Sequence, residues 1–330
     1  YDGDPLKFAL VGTRFDPGLP NGTWGYDGQF AYQVARDPLG AARFLDVPAY
    51  RYQRSLYPLS AYLLALGQSA LVPWTLILIN WIALAAGTWC TEEILAGRGA
   101  SRWYALSYGL FGGLLMSVRL DLTEPLAYAL AQAAVLGYER GRRRSAASLL
   151  ALAVLAKETT LLVAAGFWLS LALTRRWREL VGWLAIIGAP FAAWQIILRV
   201  WLGQWGIGSG GALATPFEWI PYRGLWSLEL ANPKVAALVM LTICMALLPA
   251  LVALIAALRN VLRSDWHPLV CIMLVNALIV PFTPQSTMRE PLGMVRFIVG
   301  LVAAVIAWGA YRQSRRALNY SLFWIATLAL

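Results

Sequence analysis

Apolar and polar positions sort into long blocks along this chain. A polar opening of about 68 residues is followed by apolar segments at about 70–95, 103–118, 125–138, 146–156, 159–174, 180–202, 234–258, 268–283, 296–311 and 318–330. Crossing a bilayer as a helix takes about 20 apolar residues. Several segments are shorter than that. Each short one adjoins a polar turn that could extend it, or could line a protein-filled or wet cavity where partial crossing is tolerated. The stretch 146–174 has two readings: two helices broken at Lys157-Glu158, or one long helix with those charges inside it.

The opening block carries Asp2, Asp4, Asp16, Asp27, Asp37 and Asp46 among Pro and Gly residues that favour loops and short helices. Phe30 to Arg36 reads as a short helix stopped by Asp37-Pro38. Leu56 to Leu66 is apolar but too short to span, so it reads as an interfacial or re-entrant helix, with Arg51 and Arg54 ahead of it. The expected division is a loop region with interfacial helices over 1–68 and a transmembrane domain over 69–330. The chain starts at Tyr1 and stops within Leu322-Phe323-Trp324-Ile325. Both ends are expected to be incomplete, with a membrane helix or signal-anchor upstream.

Composition agrees with the pattern. The 330 residues are 59% hydrophobic and only 13% charged, against about 25% charged in a soluble domain, and mean hydropathy is +0.60. The net charge of +10 raises the question of nucleic acid. Position answers it. Arg98 and Arg102; Arg140, Arg142, Arg143 and Arg144; Arg175, Arg176 and Arg178; Arg259 and Arg263; and Arg312, Arg315 and Arg316 fall in alternate connections, which are cytoplasmic by the positive-inside rule. Only the two-helix reading of 146–174 keeps these five clusters on one side. Twelve of the 17 acids then lie on the opposite face. The basic charge is a topology signal with attraction to anionic lipid, and no nucleic-acid partner is called for. Localisation is expected in the cell inner membrane, multi-pass.

Four polar clusters reach the outer face: Tyr26-Asp27-Gly28-Gln29-Phe30; Arg119-Leu120-Asp121-Leu122-Thr123-Glu124-Pro125; Lys157-Glu158-Thr159; and Arg289-Glu290-Pro291 with Arg296 beyond. Charges near membrane depth are costly and point to function. Pro125 and Pro291 suit the first helical position, which sets Glu124 and Glu290 beside positive helix ends; a plain capping role for Glu290 is equally open. A carboxylate such as Asp27 suits a general base acting on an acceptor hydroxyl. Lys157, Arg119, Arg289 and Arg296 suit a phosphate. Trp24, Tyr26, Trp205, Trp219 and Tyr222 could stack on sugar rings, although Trp and Tyr also form interfacial belts. The three cysteines sit in apolar segments without metal-ligand spacing. His267 reads as a solvated interfacial residue.

On Tyr26 to Phe30, Arg54 to Leu59, Asp121 to Pro125 and Lys157-Glu158, the chain resembles the GT-C superfamily of polyprenyl-phosphate-sugar-dependent glycosyltransferases, its mannosyltransferase-like members in particular. The resemblance implies an all-α, GT-C-like bundle of about ten or more transmembrane helices with a large extracytoplasmic first loop. It implies a sugar arriving on a polyprenyl-phosphate carrier and moving to an acceptor hydroxyl on a glycan, lipid or protein. Asp27 matches the first-loop acid used as base, and Asp121 and Glu124 match second-loop acids. Tyr26, Gln29, Arg54, Arg119, Lys157, Glu158, Arg289 and Arg296 are the substrate-binding candidates. Many members pair two acids where this chain has Asp27-Gly28, so a divalent metal (Mg or Mn) is left as an open cofactor. Two other readings stand beside the enzyme: a non-catalytic subunit scaffolding other membrane subunits, and a transporter or flippase.

Overall fold

A computed structural model describes residues 3–17, 19, 21–228 and 231–329. Asp2 and Glu229, two acids expected on the outer face, lie outside the described residues, as does Tyr1. Among the described residues the regular structure is all helical, with no strand.

Proline and glycine punctuation sets many of the boundaries. In the polar opening, α1 runs Gly28–Arg36, α2 Pro48–Tyr52 and α3 Leu56–Leu64. There follow α4 (Val72–Gly97), α5 (Gly112–Arg119), α6 (Glu124–Glu139), α7 (Arg143–Ala156), α8 (Leu161–Leu173) and α9 (Trp177–Leu202). The remainder is α10 (Pro233–Leu262), α11 (Pro268–Ile279), α12 (Pro291–Phe297), α13 (Val299–Tyr311) and α14 (Arg315–Ser321). Helices α2, α4, α6, α10, α11 and α12 each carry Pro in the first turn, where its missing N–H costs nothing. Gly203 closes α9 in the left-handed conformation and returns its N–H to the Arg199 carbonyl.

Among the described residues three helices are long and apolar enough to cross a membrane: α4 and α9 with 26 residues each and α10 with 30. A fourth arises if α12 and α13, bent by 44°, act as one broken span. The other expected spans are shorter helices. Helix α6 has 16 residues, or about 24 Å at 1.5 Å per residue, short of a 30 Å hydrocarbon core. Segment 103–118 is broken before α5, and 318–329 falls to the end of α14 and a 3₁₀ helix over Leu322–Ala329. The stretch 146–174 divides into α7 and α8, and the break falls at Lys157-Glu158.

Helix α6 packs between α4 and α7, and α11 packs against α8, α10 and α13. Their contact surfaces supply the main core. Helix α9 buries only 17% of its most apolar stretch, and Val181, Leu184, Ile196, Ile197 and Val200 stand exposed along it. Such a continuous apolar surface suits hydrocarbon.

Helix α10 contains a π-helical turn at Ile243–Leu247. Pro249 has no N–H to give the Met245 carbonyl four residues back, and the Trp324 indole donates to that carbonyl instead at 2.8 Å.

The charged turns gather at two ends of the bundle. At one, Arg98 donates to Glu139 at 2.8 Å and lies 3.3 Å from His267. Asp265 accepts from Tyr311 and Arg312 at 3.0 and 3.2 Å. Arg143 and Arg176 both pair with Glu179, and Arg140 with Glu93. His267 stacks on Tyr311 with ring centroids 4.0 Å apart. The turns that carry the arginine clusters therefore adjoin one another. The acid-rich turns meet elsewhere, around Asp27.

Candidate functional site

Asp27 is the residue just before α1, whose backbone comes close to the α5–α6 turn. A Cβ on Gly28 would stand 2.0 Å from the Leu120 carbonyl oxygen, so only glycine allows this approach. Asp27 and the 119–124 turn thereby share one wall of a narrow cleft. Its lining includes Asp27, Arg51, Arg54, Asp121, Glu124 and Arg296.

The charges form a continuous network. Asp27 accepts from Arg51 Nη1 at 3.0 Å and from Arg296 at 3.3 Å. Arg51 also grips Asp46 through Nε at 2.7 Å and Nη2 at 2.8 Å, and lies over the Phe30 ring at 4.0 Å. Arg54 holds Glu158 with two bonds, of 2.8 and 2.5 Å, and reaches Tyr50 at 2.6 Å. One oxygen of Glu124 accepts from both Lys157 Nζ at 2.6 Å and Arg296 Nε at 2.7 Å. Tyr26 accepts from Arg296 at 3.0 Å and donates to Glu290 at 2.8 Å.

Surroundings set the protonation states. Burial alone would raise Asp27, but Arg51, Arg296, Arg54 and Lys157 outweigh it and hold the carboxyl well below the usual range. Asp121 has no such neighbours to offset burial, which pushes it up to about 8. Burial brings Lys157 down to about 8, partly opposed by Glu124. Burial also raises the Tyr26 hydroxyl, so Tyr26 stays a neutral hydrogen-bonding group.

Of the residues the sequence nominates, Asp27, Arg54, Asp121, Glu124 and Arg296 line the cleft. Lys157, Glu158 and Tyr26 stand behind it as ion-pair or hydrogen-bond partners. Gln29 lies elsewhere: it is buried, and its side-chain oxygen accepts from the Gly12 N–H at 3.0 Å. Arg119 and Arg289 are exposed and outside the lining. Trp24, Trp205, Trp219 and Tyr222 are also outside it. Glu290 makes no side-chain cap on α12; its carboxylate is taken up by Tyr26.

Sequence reasoning leaves Arg51 and Asp46 out of the site. The available signal is Arg51 and Arg54 three residues apart in a helix-forming stretch, a spacing that sets two side chains on one face. Among the described residues no group of three or more His, Cys, Asp or Glu is placed to hold a metal ion. The carboxylates of Asp27 and Glu124 face arginine and lysine donors instead.

Comparison with protein-family models, with curated proteins and with solved structures found no match to this chain.

Proposed function

We propose that this protein is an integral membrane glycosyltransferase of the GT-C type, moving a sugar from a polyprenyl-phosphate carrier to an acceptor hydroxyl. In this reading the acid-rich end of the bundle is extracytoplasmic, and the shorter helices complete a bundle of about ten crossings. The observation that carries the proposal is the convergence of Asp27, Arg51, Arg54, Glu124 and Arg296 on one cleft at a bundle end. These residues come from segments far apart in sequence, and the cations among them suit a phosphate.

In this reading Arg51 and Arg296 exchange Asp27 for the donor phosphate, a phosphodiester whose single negative charge is spread over two free oxygens that match the arginine forks. Withdrawing two cations from Asp27 restores its basicity, so donor binding arms the base. Asp27 then takes the proton of the acceptor hydroxyl, and the oxygen attacks the anomeric carbon. The bond from that carbon to the phosphate oxygen breaks. The lipid phosphate leaves with the electron pair, its charge met by Arg51, Arg54 and Arg296. A single displacement inverts the anomeric centre.

A second reading, a non-catalytic subunit that scaffolds other membrane proteins, is favoured by one observation: Arg51, Arg54, Lys157 and Arg296 are each already paired. The two readings separate in an assay of purified protein in lipid nanodiscs, supplied with labelled polyprenyl-phospho-sugars and a mixed acceptor pool. The enzyme releases polyprenyl phosphate, and Asp27→Asn lowers the rate at least about 100-fold while the protein stays monodisperse. Absence of release from every donor tested, with folded protein, supports the scaffold.

A further inference from the structure

Four carboxylates and four cations of the network pair off: Asp27 and Asp46 with Arg51, Glu158 with Arg54, and Glu124 with Lys157 and Arg296, which also reaches Asp27. Asp121 lines the same cleft and, among the described residues, has no countercharge. It is 0% exposed, yet neither carboxyl oxygen has a hydrogen-bond partner among the described residues. The second oxygen of Glu124, three residues on, is likewise buried and unpartnered. Asp121 sits at φ 50°, in the left-handed region. A non-glycine residue held there is strained, and the surrounding structure must impose it. Three unpartnered carboxyl oxygens on residues lining one cleft call for a ligand that can hydrogen-bond to them.

We infer that Asp121 and the free oxygen of Glu124 form a subsite for neutral hydroxyl groups, a pair of sugar hydroxyls on the donor, beside the arginines that take its phosphate. This rests on the glycosyltransferase reading and adds where the sugar is held. Charge balance selects the ligand class. A surplus buried carboxyl with no cation to pair it is held neutral. A neutral carboxyl offers one O–H donor and one acceptor. That pattern matches two adjacent hydroxyls and does not require a charged ligand. The value of about 8 that burial gives Asp121 agrees with a neutral group at pH 7. Facing it are Tyr57 and Glu124, with Asp27, Arg51, Arg54 and Arg296 across the cleft.

The test compares binding of undecaprenyl phosphate and undecaprenyl phosphomannose to the full chain in nanodiscs. Wild type is expected to bind the phosphomannose at least about tenfold tighter than the bare phosphate. Asp121→Asn, which keeps a donor and an acceptor without charge, retains that preference within about threefold. Asp121→Ala loses the preference while its affinity for undecaprenyl phosphate is unchanged. For wild type, the preference persists at pH 7 and falls by pH 10 as Asp121 ionises, whereas Asp121→Asn, in which Lys157 beside Glu124 still loses its proton near pH 8, holds its preference from pH 7 to 10; this pair of measurements stands if the alanine variant fails to fold. Equal binding of the two lipids by wild type, equal loss in the Asn and Ala variants, or a wild-type preference constant from pH 7 to 10 would each overturn the subsite. Failure of wild type to bind either lipid overturns the glycosyltransferase reading itself.

Discussion

Asp27 and Asp121 are aspartates on the wall of one cleft, and their neighbours drive them in opposite directions. Arginines surround Asp27 and keep it ionised, whereas Asp121 meets only burial. This difference has a measurable sign. Folded Asp121 holds its proton more tightly than the unfolded chain does. Its contribution is therefore full below about pH 4 and is lost as pH rises toward about 8, at about 1.4 kcal/mol per pH unit. Asp121→Asn removes that slope: its thermal midpoint should exceed that of wild type at pH 8, and the gap should shrink at pH 5. A constant gap would show that Asp121 does not change protonation on folding. Glu124 is the opposite case, a wholly buried carboxylate that anchors two cations through one oxygen. Glu124→Gln leaves Lys157 and Arg296 short of a countercharge and should cost about 3–5 kcal/mol, read as a large fall in thermal midpoint. The acids were legible in the sequence because charges are scarce among the apolar segments. Arg51 was not picked out, since an arginine in a polar loop looks like any solvated residue until its partners Asp46 and Asp27 are placed.

At the level of elements, position depends on close approaches that single residues permit. Gly28→Ala would push a methyl into the Leu120 carbonyl and separate α1 from the 119–124 turn. The expected result is loss of donor binding together with a lower thermal midpoint. In α10, Trp324→Phe removes the indole donor from the Met245 carbonyl, at about 0.5–1.5 kcal/mol. Pro249→Ala returns an N–H to that carbonyl, so the tryptophan change should cost much less in the alanine background. Additive losses would show that the indole serves the core in some other way. Helix starts were readable from Pro125 and Pro291, and the break at Lys157-Glu158 from its charge. Helix lengths were less readable. Apolar composition does not distinguish a full crossing from a shorter buried helix such as α7 or α8, because both are shielded from water.

Across the whole molecule, the arrangement depends on charge sorting between two ends. The arginine-bearing turns that meet around Glu139, Glu179 and Asp265 adjoin one another, as the positive-inside pattern predicts for a cytoplasmic face. With Cys90, Cys244 and Cys271 replaced, a membrane-impermeant thiol reagent should label Leu39→Cys in intact cells, and Arg142→Cys only after the membrane is opened. Labelling of both from outside would refute the topology. In the proposed function the cleft at the acid-rich end receives a lipid phosphate in place of Asp27. A high-resolution map of the protein in nanodiscs with undecaprenyl phosphate tests it most directly. The phosphate is predicted within hydrogen-bond reach of Arg51 and Arg296, with Asp27 released toward the open cleft. A map in which both arginines still hold Asp27 and the lipid lies elsewhere would rule out that exchange.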